Sequence, residues 1–255
     1  MTLEEAIAKI KPLDHNAMEI AQKRWDSIAK PLHSLGKLET LLIQIAGITG
    51  NAEVDLSRRG LIAMCADNGV VEEGGTQTGQ EVTAIVAENF LKYDTSVGVM
   101  CKQNHAEIFP VDMGMVTDTK VRTDHKIAYG TQNMTKGPAM TREQAVKGLE
   151  AGIDMVRELN DKGYRILATG EMGIGNTTTS SAVASVLLKQ PVEEMTGRGA
   201  GLSDEGLHRK IHAIERGIAV NHPNAADPLG VLAALGGFDI AGLCGVFLGG
   251  ALEKI

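Results

Sequence analysis

The chain has 255 residues, 43% of them hydrophobic and 22% charged, enough to bury a large core within one or two domains. Its net charge of −7 supplies no basic field for a polyanion, which argues against nucleic acid or an anionic membrane as a partner. Three cysteines, Cys65, Cys101 and Cys244, lie far apart without CxxC spacing, a pattern of reduced thiols rather than of a disulfide scaffold or zinc site, and one that fits a cytoplasmic setting.

The first residues are acidic and lead into no long apolar run, so no signal peptide is expected there. Residues 1–50 are helical in pattern: Leu38, Leu41, Leu42, Ile45 and Ile48 recur at helical spacing and Gly50 closes the run. Residues 51–255 read as an α/β nucleotide-binding domain. Three short apolar runs there have strand character, Leu61–Ala66, Ala106–Val111 and Arg165–Thr169, each ending in a polar or glycine-rich turn and separated by enough chain for a helix. Thr141 through Gln144 spells a capping box that opens a helix through Ala145, Leu149, Ile153 and Val156. The implied fold is a parallel α/β sheet with helices on both faces, with ligands at the carboxyl ends of the strands. The apolar stretch Val231–Leu252 approaches membrane-spanning length, but Asp239 and its glycines favour buried helices joined by turns.

The third strand run leads into Gly170 through Thr179 and then a helix of small residues. A glycine turn at a helix start can bring backbone N–H groups against a phosphate, here Gly173, Gly175, Asn176, Thr177 and Thr178. The turn is not a Walker loop, having no lysine, nor a dinucleotide fingerprint, since Thr178 stands where the third glycine would be. A packing turn without a ligand is the bland alternative. Glu171 would repel a phosphate, so a ribose diol or positive charge growing at the anomeric carbon suits it better; a solvent-facing turn residue is the other reading. A second glycine turn, Thr196 to Leu202, supplies Arg198, and the helix after Ser203 supplies Lys210, both candidates to neutralise phosphate or else ordinary surface charges. Asp67, at the end of the first strand, either orients substrate and relays a proton or caps its turn. Met172, with Met113 and Met115, can pack on an aromatic ring or fill core. His208 and His212 have the spacing of metal ligands, but Arg209 and Lys210 between them favour an exposed helix face, so no metal and no cofactor is expected.

Lys30-Pro31 with Ser34 through Glu39, Asp67-x-Gly69-Val70, Gln80 through Thr83, Gly170 through Thr178, Gly197 through Gly201, and Asp227 through Leu229 with Gly236 through Ile240 together resemble the motifs of the nicotinate-nucleotide–dimethylbenzimidazole phosphoribosyltransferase family. The resemblance implies a Rossmann-like sheet, a small helical domain built from the two ends of the chain, and a homodimer. It implies transfer of ribose 5-phosphate from nicotinate mononucleotide to an aromatic base, with the glycine turn and Lys210 on the phosphate and Gln80 against the acceptor base. His33 and Gly79 depart from the family's usual glycine and proline, and the family's proposed general-base glutamate is expected beyond Ile255. Two other classes remain open at this point: a noncatalytic nucleotide-binding subunit that needs a partner segment and, much less favoured for lack of GxGxxG, a nicotinamide-dependent oxidoreductase.

Overall fold

A computed structural model describes all 255 residues. In chain order the elements are α1 (Leu3–Lys9), α2 (His15–Ser27), α3 (Lys37–Thr49), β1 (Arg59–Ala66), a 3-10 turn (Gly69–Glu73), α4 (Glu81–Lys92), α5 (Ser96–Gln103), β2 (Ala106–Gly114), α6 (Arg142–Asp161) and β3 (Ile166–Met172). Then follow α7 (Asn176–Leu188), α8 (Val192–Met195), α9 (Asp204–Asn221), α10 (Pro228–Leu235) and α11 (Phe238–Glu253).

The three strand runs form one parallel sheet in the order β2-β1-β3, with Arg59 opposite Ala106 on one side and Ile166 on the other. Alternation along β1 divides the core. Ile62 and Met64 join the cluster that includes Leu149 and Ile153 of α6 and Ala241 and Val246 of α11, whereas Ala63 and Cys65 pack with Ala87 and Phe90 of α4. Cover on both faces is complete over β1 from Ile62 to Ala66. At β3, an edge strand, Ala168, Thr169 and Glu171 stay exposed. Two strands also run further than their apolar runs suggest. β2 reaches Gly114 and β3 reaches Met172, so Gly170, Glu171 and Met172 belong to the sheet, with Glu171 opposite Met64, and not to the turn.

The capping box at Thr141 and Gln144 forms as spelled and starts α6. α6 packs along α11 at very short range: a Cβ at Gly152 would come within 2.1 Å of the Gly242 carbonyl oxygen, and one at Gly245 within 2.0 Å of the Leu149 carbonyl oxygen. Backbone thus meets backbone, which only glycine permits. The apolar stretch after Asp227 is two helices, α10 and α11, broken at Gly236-Gly237, and no helix is long and apolar enough to cross a membrane. Within the N-terminal region α1 packs on α6 and α11, while α2 and α3 pair with each other and leave Leu35, Leu38 and Leu41 exposed.

Candidate active site

A cleft of about 290 Å³ opens at the end of β3, its walls formed by residues 75–78, 172–177 and 198–200 with Leu202. A second cleft of about 300 Å³, between α3 and α11, has neither a glycine turn nor a buried cation, so the chemistry singles out the first. The turn from β3 into α7 is sharp because Gly175, the N-cap, sits at φ +92°, a left-handed backbone that side chains resist. A Cβ there would also press to 3.0 Å from Val71 Cγ2.

The N–H groups expected to be free at the helix start are mostly engaged: Asn176 N–H donates to Gly173 O, Thr178 N–H to Gly175 O, and Thr177 N–H to Asn176 Oδ1 at 2.6 Å. Ile174 N–H donates to Thr83 Oγ1 at 3.1 Å. The N–H groups of Gly173 and Gly175 have no partner, so the donors available to an anion lie in the turn itself, just ahead of the helix.

Lys210 of α9 runs beneath this turn. It is 1% exposed, and its ammonium donates to Thr177 Oγ1 at 2.8 Å and to Gly197 O at 3.0 Å. No carboxylate accompanies it, and burial pulls its pKa below that of an ordinary lysine. A buried cation with only neutral partners is costly unless an anion arrives to pair with it. Arg198, the other proposed cation, is differently placed. Its guanidinium is already paired with Asp204 and donates to Leu202 O at 2.9 Å, which makes it a brace for the second glycine turn with little charge to spare.

Glu171, the last but one residue of β3, lies beside the cleft, where Asn176 Nδ2 donates to its carboxylate. Although the residue is open to solvent, its carboxyl is set deep enough among protein atoms for burial to raise its pKa, with the Asn176 bond opposing. Met172 follows it and lines the cleft, whereas Met113 and Met115 are fully buried in core. Asp67 is buried and does not cap the turn after it: Oδ2 accepts from Val116 N–H at 2.9 Å, and Oδ1 has no partner. Burial raises its pKa; Thr83, Val116 N–H and Lys126 work against the shift. Gln80, at the head of α4, donates from Nε2 to the Asn68 carbonyl at 3.1 Å. His208 and His212 lie exposed on α9, with His212 Nδ1 3.2 Å from Glu215.

Two residues of the site escape sequence reasoning. Asn68 is fully buried between β1 and the glycine turn, and Asp239, also fully buried, stands at the start of α11 behind Asp67 and Glu171. Two signals mark Asp239, its acidity inside an otherwise apolar run and its place in the Gly236 to Ile240 stretch of the family resemblance, but neither gives it a role.

A parallel sheet with a glycine turn at one strand end, a buried lysine without a carboxylate partner below it and a carboxylate beside it is the build of a nucleotide-binding α/β protein. Comparison with known proteins narrows the class. A family model described as phosphoribosyltransferase matches residues 10–255. The nicotinate-nucleotide–dimethylbenzimidazole phosphoribosyltransferase of Ruminiclostridium cellulolyticum is 50% identical over all of this chain and 73% of its own length. That of Clostridium acetobutylicum is 49% identical with the same coverage. CobT from Thermus thermophilus superposes with a TM-score of 0.87 at 35% identity, over 94% of this chain and 73% of that one. The chain belongs to the nicotinate-nucleotide–dimethylbenzimidazole phosphoribosyltransferase family.

Proposed function

We propose that this protein transfers ribose 5-phosphate from nicotinate mononucleotide to 5,6-dimethylbenzimidazole or a similar aromatic base, giving alpha-ribazole 5'-phosphate and nicotinate. The observation that carries the reading is Lys210, an ammonium buried beneath a glycine turn with no carboxylate to balance it. A nucleotide phosphate held by the Gly173 and Gly175 N–H groups, with Asn176, Thr177 and Thr178 beside it, supplies the missing negative charge. Arg198 keeps the opposite wall of the cleft in place.

Nicotinate mononucleotide carries its ring as a pyridinium at the anomeric carbon, so when that C–N bond breaks its electron pair neutralises the ring nitrogen and no general acid is needed. The acceptor's unprotonated ring nitrogen forms the new bond to the same carbon from the opposite side. The resulting cationic base then loses its N–H proton. The protein's tasks are alignment, stabilisation of the positive ribosyl centre and acceptance of that proton. Glu171 faces the ribose in this scheme and Asp67 stands behind it; Met172 and Gln80 hold the flat acceptor. The exposed leucines of the α2–α3 pair suit a homodimer contact, and three free cysteines suit the cytoplasm; both belong to this proposal. The test is mass spectrometry of products from nicotinate mononucleotide offered with a mixture of benzimidazoles, purines and phenols. Release of nicotinate together with a ribosyl-phosphate adduct of one base is the expected outcome, and no adduct with any base overturns it.

A further inference from the structure

Asp239 has no role in the scheme above, yet it is the most completely buried carboxyl near the site. Its residue is 0% exposed, neither of its oxygens meets a donor in good hydrogen-bond geometry, and only the N–H groups of Asp239 and Ile240 lie near enough to favour its anion. Asn68 poses a matching problem. Its Nδ2 donates to Ile174 O at 3.4 Å, within the glycine turn, and its Oδ1 is buried with no donor. The two orphans are neighbours: the Cβ that a side chain at Gly237 would carry lies 2.1 Å from Asp239 Oδ1 and 2.6 Å from Asn68 Oδ1. Two buried acceptor oxygens side by side repel unless one of them carries hydrogen. Turning the Asn68 amide over would set Nδ2 against Asp239, but it would bring the amide oxygen to the Ile174 carbonyl and release the turn that Nδ2 now holds at 3.4 Å.

We propose that Asp239 is a positioning residue that holds a proton in the resting protein and donates it to Asn68 Oδ1, so that Asn68 can hold the Ile174 turn and the Gln80 side chain in their binding positions. The proposal rests on the reading of this cleft as the nucleotide site. Asn68 is suited to the task because it touches both elements, the turn through Nδ2 and Gln80 through its carbonyl oxygen.

The surroundings favour the protonated acid. Glu171 at the end of β3, Asp67 after β1 and the Cys65 thiol within β1 are the titratable groups around it, and all become anions on ionisation. Lys126, which reaches Asp67 electrostatically, is itself paired with Asp112 at 3.1 Å. From α6 the nearest groups are apolar, with Gly148 against Ala241. Burial, then Glu171 and Asp67, raise the Asp239 pKa to about 7, while N–H groups at the start of α11 oppose this without prevailing. Above that pH the anion would face Asn68 Oδ1 and push the amide away from Ile174.

The test measures nicotinate mononucleotide affinity by calorimetry across neutral pH in the wild type, Asp239→Asn and Asp239→Ala. Wild-type affinity is expected to fall by about tenfold per pH unit above the titration, as for any single proton required for binding. Asparagine donates at every pH, so Asp239→Asn is expected to restore tight binding and to flatten the profile, whereas Asp239→Ala binds weakly throughout. Ionisation of the ligand phosphate is common to all three and cancels in the comparison. An Asp239→Asn profile that parallels the wild type overturns the proposal. Carboxyl ¹³C NMR of aspartate-labelled wild-type protein decides independently of ligand and of variant folding: one aspartate titrating near neutrality is expected, and none doing so overturns it. If the wild type fails to bind nicotinate mononucleotide at any pH, the nucleotide-site reading fails instead, and the NMR result still settles the proton.

Discussion

Replacing Lys210 by methionine separates what the buried ammonium does for binding from what it does for folding. Methionine fills a similar volume and removes the charge. A hydrogen bond to a charged group contributes about 1.5–3 kcal/mol, so loss of the lysine is expected to weaken nicotinate mononucleotide by roughly ten- to 150-fold. Stability is expected to change much less. The folded-state pKa of Lys210 lies below its unfolded value, so burying the charge opposes folding at neutral pH, and that penalty vanishes as pH rises through the lowered pKa toward the unfolded one. Methionine removes the penalty but deprives Gly197 O and Thr177 Oγ1 of their donor; both residues are exposed, so water replaces much of that loss and no more than about 0.5–1.5 kcal/mol is at stake. The two effects offset each other, and the melting temperature is expected to stay within several degrees. The assay is calorimetry with nicotinate mononucleotide and, in parallel, with the riboside that lacks the phosphate. Loss confined to the nucleotide is the expected pattern. Equal loss for both ligands would place Lys210 away from the phosphate, and no loss for either would remove the argument from its burial altogether.

Gly175→Val forces a β-branched residue to φ +92° with its Cβ against Val71 and Asn68; denaturant unfolding should show a loss of about 2–5 kcal/mol, and nucleotide binding should disappear. Wild-type binding by the valine variant in calorimetry would end the phosphate assignment. Glu171→Gln is expected to lower turnover at least about tenfold more than affinity, since a carboxylate at the ribose acts mainly as positive charge develops. Because burial raises the Glu171 pKa, wild-type turnover should climb with pH through a titration above the usual glutamate value, and the amide variant should lack that acidic limb in its pH–rate profile. Gln80→Ala removes a side chain tied to the Asn68 carbonyl, so the ranking of acceptor bases in a competition assay should change, and an unaltered ranking would take Gln80 out of the acceptor pocket.

What could be read from the chain was whatever is local. The capping box at Thr141 and Gln144 and the apolar runs of β1, β2 and β3 state their own conformation within a few residues, and each appears where spelled. Gly170 misled because glycine usually ends a strand. Here it lies opposite Ala63 in the ladder, and the strand continues to Met172, which turns Glu171 from a loop residue into a rigidly mounted one. Arg198 looked like a free cation because nothing in the glycine turn announces that Asp204, six positions on, will pair with it. The glycine turn was legible, but the way Asn176 would fold back onto Thr177 N–H and Glu171 was not. Asp239 and Asn68 were out of reach, because they meet only when α11 docks across the sheet. A contact between β1 and the last helix leaves no periodicity in the sequence.

The glycines along α6 and α11 carry a consequence for how this site is inherited. Gly152, Gly245 and Gly249 touch no part of the cleft, yet they fix how far α11 can slide along α6, and Asp239 rides on the first turn of α11. At such close range one added methyl group shifts the rod as a whole instead of denting it locally, and the shift arrives at Asn68. The geometry behind the nucleotide turn is thus stored several helical turns away, in residues whose only chemical property is to be small.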